Sequence, residues 1–155
     1  MAYNPNSELV AVAFIRSLNL GPSASFGVGT TLPENKDTWK DGFIQVSVVG
    51  GSPSIDVATR KPILQVDAWV PSINSTKPQW GKANTLVENI IEALYETGNL
   101  GIKLSLGPAY KDATIQSGYA VGEPRRISND PAGHARYTVD ISLTWVAVDG
   151  EAPTP

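Results

Sequence analysis

The sequence predicts an α+β fold: a mostly antiparallel mixed β-sheet with two α-helices packed on one of its faces, in a single domain. Three observations carry that prediction. Segments 43–49, 62–70 and 135–148 place apolar residues at the strand period of two: Ile44, Val46 and Val48, then Leu64, Val66, Ala68 and Val70, then Tyr137, Val139, Ile141, Leu143 and Trp145. Segments 5–19 and 78–97 space theirs at the helical period. Gly and Pro stand between these segments, so each ends where the backbone must change direction.

In chain order, Asn4 and Pro5 open the first helix as its cap and first helical residue. Leu9, Val10, Val12, Ala13, Phe14, Ile15 and Leu18 spread apolar surface around most of its circumference, so it needs burial on more than one side. Gly21-Pro22 ends it. Residues 22–41 are rich in Gly, Ser, Thr and Pro and exceed the usual loop length, which predicts a short strand near 28–32 or a functional loop. The strand 43–49 is expected to break at Gly50-Gly51-Ser52-Pro53, and the strand 62–70 at Pro71. On the latter, Gln65 and Asp67 mark the wetter face.

Pro78 suits the first turn of the second helix, on which Leu86, Val87, Ile90, Ile91, Leu94 and Tyr95 share a face, and Gly98 is its expected stop. Ile102, Leu104 and Leu106 alternate in a short strand over 102–106, and a weaker alternation runs through 113–121. Residues 122–133, with Pro124, Pro131 and Asn129-Asp130, read as a turn and excursion. In the last strand Thr138, Asp140, Ser142 and Thr144 lie opposite the apolar face and meet solvent or a neighbouring subunit. Residues 149–155 have nothing to pack and are expected to fray, leaving 1–148 as the domain.

Composition narrows the function classes. A chain of 155 residues buries roughly 70% of its unfolded surface as one domain. Its charged share of 17% is low, which leaves surface for burial against partners. A net charge of −3 argues against binding nucleic acid through bulk positive charge. With no cysteine, disulfides and thiolate metal sites are excluded. No apolar run approaches the ~20 residues of a membrane span, and no secretory signal is evident, so folding in a cytoplasm is expected.

Phe43-Ile44-Gln45-Val46, Val49-Gly50-Gly51-Ser52-Pro53, Gln65-Val66-Asp67-Ala68-Trp69 and Lys77-Pro78-Gln79-Trp80-Gly81-Lys82-Ala83-Asn84 carry a family likeness, as do Pro124-Arg125-Arg126-Ile127 and Ala135-Arg136-Tyr137-Thr138-Val139-Asp140. Together they resemble the tail terminator, or tail completion, proteins of long-tailed phages, especially those infecting actinobacteria. The resemblance implies a non-enzymatic virion protein, assembled in the host cytoplasm, that forms a ring, usually of six copies. Such a ring caps the head-proximal end of the tail tube, stops its polymerisation and docks the head connector. The implied partners are further copies of the chain, the tail tube protein and a connector or head-closure protein, with DNA passing through the lumen in weak, non-specific contact. Two alternatives stand beside it: another neck component, and a small monomeric ligand-binding domain or enzyme.

Candidate chemistry is sparse. His134 is the only histidine and lacks a nucleophile in a recognisable motif, so a solvent-exposed loop residue is expected rather than a general base. Gly27-Val28-Gly29 has no following Walker lysine and reads as a hinge or turn. Asn74-Ser75-Thr76 fits the glycosylation pattern, which means little without secretion. No catalytic residue, cofactor or metal is expected.

The candidate subunit or partner contacts are Arg60, Lys61, Trp69, Trp80, Lys82, Glu88, Glu92, Glu96, Arg125 and Arg126. Glu88, Glu92 and Glu96 are four apart and form an acidic stripe, either solvated or facing a neighbour or the lumen. Arg60-Lys61 and Arg125-Arg126 lie beside prolines in expected turns. There they remain exposed, reach an acidic neighbour as bidentate forks, or touch DNA weakly. Trp145 continues a core face; Trp69 and Trp80 cover local structure or anchor an interface.

Overall fold

The computed structural model describes residues 2–18, 20, 26–72, 77–128, 130 and 132–148. The strands are β1 (Gly27–Gly29), β2 (Phe43–Pro53), β3 (Thr59–Val70), β4 (Lys103–Leu104), β5 (Asp112–Ala120), β6 (Arg125–Arg126) and β7 (Ala135–Val148), with helices α1 (Ser7–Ser17) and α2 (Trp80–Leu94). They form one seven-stranded sheet in the order β1-β2-β3-β7-β5-β4, with β6 also on β7. Only β1 pairs in parallel, with β2; the other ladders are antiparallel. The architecture is α+β, mostly antiparallel, in a single domain, as the periodicities predict.

The alternation decides which side is core. Ile44 and Val46, Leu64 to Ala68 at every second position, Val139 to Trp145 likewise, and Ile115 turn to one face and are fully or almost fully buried. Both helices pack on that face. Phe14 and Ile15 of α1, and Val87, Ile90 and Leu94 of α2, close it with no more than 2% exposure each. The Trp145 indole N–H donates to Ser7 Oγ at 3.1 Å, which ties β7 to the start of α1 and satisfies a buried donor.

Several boundaries differ from those the sequence predicts. Asn6, not Asn4, caps α1: its Oδ1 accepts the Leu9 N–H at 2.8 Å, and Pro5 lies outside the helix. Gly50-Gly51-Ser52-Pro53 does not end β2. A register shift between Val48 and Gly50 absorbs the irregularity, and pairing resumes through Pro53, opposite a β3 that starts early at Thr59. Gly51 adopts φ +86° there, against the backbone of Lys61 to Ile63. α2 starts at Trp80, past Pro78, and stops at Leu94 before Gly98, because Asn99 Nδ2 donates to the Ala93 carbonyl at 2.9 Å and draws the chain into a 3-10 turn.

The 102–106 strand shrinks to two residues at the sheet edge, and Gly27-Val28-Gly29 is β1 rather than a hinge. Arg125-Arg126 lies in a strand rather than a turn, since β7 runs past the end of β5 and β6 supplies its next partner. The expected breaks at Gly21-Pro22, the Asn74-Ser75-Thr76 pattern and the 149–155 tail lie outside the described residues.

Candidate functional site

The helix-free face of the sheet holds the most unusual chemistry in the described residues. Its side chains form rows across the strands, set by register. One row is Gln45 (β2), Asp67 (β3), Thr138 (β7) and Arg125 (β6); the next is Ser47, Gln65 and Asp140; on the other side lie Phe43, Trp69 and Arg136. No helix covers these rows, yet Asp67 is 4% exposed and Thr138 2%.

Local contacts explain part of that burial. The Arg136 guanidinium donates to Asp67 Oδ2 at 2.9 Å and lies over the Trp69 ring, 4.8 Å from its centroid. Trp69 Nε1–H donates to Gln45 Oε1 at 3.1 Å. Gln65 Nε2 donates to both Asp67 oxygens at 3.1 and 3.2 Å. The planar guanidinium is therefore held between a carboxylate and an aromatic face, a role lysine cannot fill.

The network is incomplete. Arg136 Nε, Thr138 Oγ1 and Asp140 Oδ1 are buried side-chain atoms without a hydrogen-bond partner. They belong to alternate residues of one strand, so all three serve the same face. They comprise a donor, a hydroxyl that can do either, and an acceptor. Each such atom costs about 1–3 kcal/mol relative to a satisfied one.

The sequence-predicted candidates fall into separate places. Arg125 is exposed on this polar face beside Thr138, and Trp69 is half-buried within it. Arg126 turns to the other face and stacks on Trp80, 5.1 Å from the ring centroid, while Trp80 meets Tyr137 edge-on. The two arginines thus do not act as a pair. Arg60 likewise stays within the subunit, over Trp145 at 5.5 Å, whereas Lys61 is exposed.

On α2, Lys82 pairs with Asp41 at 3.8 Å, and Glu88 and Glu92 face outward. Glu96 lies beyond the helix end, so the acidic stripe is two residues long on the helix and Glu96 joins it only through the following turn. An open groove of about 430 Å³ brings Glu92 and Glu96 beside Asn89 and Asn99.

His134 is half-buried rather than solvent-exposed. Its Nδ1 accepts the Ser72 N–H at 3.0 Å and its ring meets Trp39 edge-on at 5.2 Å, so it fastens the start of β7 to the end of β3. No local pattern signals this contact, because Ser72 and Trp39 are distant from His134 along the chain. Arg136, Thr138 and Asp140 are not among the candidate contacts; the polar alternation of the last strand marks the face of Thr138 and Asp140 but does not include Arg136.

No group of three or more His, Asp or Glu residues suited to a metal ion occurs among the described residues. No helix among them is long and apolar enough to cross a membrane. No protein-family model matches the chain, and no curated protein matches it.

Proposed function

We propose that this protein is a ring-forming tail terminator of a long-tailed phage, which caps the tail tube and joins it to the head connector. The sequence resemblance supplies the biological role. The observation that carries assembly is the helix-free polar face of the sheet, where Arg125 stands exposed beside Thr138 without an ion-pair partner among the described residues. An exposed guanidinium on such a face suits a partner that presents a carboxylate, which its planar fork can hold bidentately. The outward side of α2 lies on the opposite layer of the subunit. Two different surfaces on opposite layers suit head-to-tail contacts, which close into rings when the rotation per subunit permits.

Native mass spectrometry of the purified protein, over a wide concentration range and with or without isolated tail tubes, tests this reading. Rings, or rings formed only on tubes, are expected. A monomer that never associates with itself or with a tube would overturn it. Electron microscopy of virions labelled through the C-terminus is expected to show the label at the head-tail junction.

A further inference from the structure

We infer that the outer edge of β5, over residues 116–121, is a docking strand for an extended segment of a different protein at the tail junction; this rests on the tail reading and specifies one of its contacts. Backbone pairing defines the edge. The Val121 N–H donates to the Asp140 carbonyl at 2.8 Å, so the antiparallel alternation turns the N–H and C=O of Gly118 and Ala120 away from β7. On that outer side β4 reaches only Ala113 and Thr114, and Gly101 and Ile102 bond Ile115. No described strand lies beside 116–121.

The other sheet edges are guarded. On β1 the Val28 carbonyl accepts from the Arg16 guanidinium at 2.7 Å. On β2 the Val48 N–H donates to Glu8 Oε1 at 3.1 Å, and a register shift and Pro53 interrupt the remainder. β4 and β6 are two residues each and carry Lys103 and two arginines. Gln116 to Val121 are all uncharged, and Tyr119 and Val121 are 54% and 50% exposed. An unguarded neutral edge with exposed apolar side chains is a template for strand addition, in which main-chain bonds hold the incoming segment and alternate side chains select it.

The flanking residues specify the occupant. Tyr119 is level with Ser142 and Arg125 with Thr138, so both belong to the helix-free face, with Val121 between them in the alternation. The incoming strand therefore carries apolar side chains two apart against Tyr119 and Val121. About 7 Å further along, at the strand rise, it carries a carboxylate for Arg125, which has no ion-pair partner among the described residues. A second copy does not supply this strand. Its own β5, laid antiparallel and centred on Tyr119, would drive residues 123–125 into Gly101 to Leu104, and its β2 edge is the interrupted, Glu8-capped one.

Photo-cross-linking in assembled virions tests the assignment, with Tyr119→p-benzoylphenylalanine in the full chain. Illumination is expected to join this position to a different virion protein, at a segment with alternating apolar residues followed by an acidic one, identified by mass spectrometry. Ala120→Pro removes an outward N–H while sparing the β7 ladder, and Tyr119→Lys charges the edge without touching the backbone. Each is expected to keep the thermal midpoint of the monomer within a few degrees and to lower the yield of joined virions at least tenfold. Cross-links only between copies of this chain, a cross-linked segment without that pattern, or no cross-link in virions that contain the chain would overturn this assignment and leave the tail reading standing. Natural yields from folded Tyr119→Lys would do the same. A natural-sequence chain absent from virions would overturn both.

Discussion

Arg136 and Asp67 meet diagonally across the central strand pair of the sheet. In register Asp67 lies opposite Thr138 and Arg136 opposite Trp69, yet the guanidinium reaches back to Asp67 Oδ2 at 2.9 Å. The carboxylate is 5% exposed and the arginine side chain 26%, so the two partners are unequal. Removing the arginine strands a buried charge, whereas removing the carboxylate leaves a cation that can turn towards water.

That inequality predicts asymmetric mutants. Arg136→Ala leaves Asp67 with only the Gln65 amide and is expected to cost about 3–5 kcal/mol. Asp67→Ala is expected to cost less, about 1–2 kcal/mol, as the freed guanidinium is partly solvated and keeps its stack on Trp69. Urea unfolding of both variants measures the difference, and equal losses would contradict it.

The two neighbouring arginines of β6 are expected to separate in function. Arg126→Ala loses the stack on Trp80 and is expected to destabilise the monomer by about 0.5 kcal/mol, the scale of an exposed cation-aromatic contact. Arg125→Ala is expected to leave the monomer unchanged and to affect association alone. Thermal denaturation of the monomer beside ultracentrifugation of the assembly reads the two effects separately.

His134→Ala is expected to cost about 1–2 kcal/mol, since the Ser72 N–H loses its acceptor and Trp39 loses its edge contact. An unaltered urea midpoint would contradict that structural role.

Gly51 tests the extended hairpin. A Cβ there would collide with the Lys61 carbonyl oxygen and lie 2.8 Å from Pro62 Cα, on a backbone at φ +86°. Gly51→Ala is therefore expected to cost more than about 2 kcal/mol. Gly133→Ala, at φ +73° with nothing near the added carbon, is expected to cost only about 1 kcal/mol. Guanidinium unfolding of the two variants side by side checks the order.

Local periodicity is enough to dictate the layers. Period-two runs such as Leu64, Val66, Ala68 and Val70, and the helical face of Leu86, Val87 and Ile90, dictate burial through local geometry alone, so the α+β arrangement was legible. It also separated Gln65, Asp67, Thr138 and Asp140 from the core face. Element ends were less legible because competing local contacts set them: Asn6 over Asn4 as a cap, the Asn99 amide on the last turn of α2, and a bulge that carries β2 through two glycines. Which polar side chains meet depends instead on how the strands align in the folded sheet. Register brings Arg136 to Asp67, 69 residues away in the chain, turns Arg125 and Arg126 to opposite faces, and leaves three buried atoms on β7 without partners. Periodicity assigns a residue to a face, but pairing depends on strand alignment across long loops, which no local pattern contains.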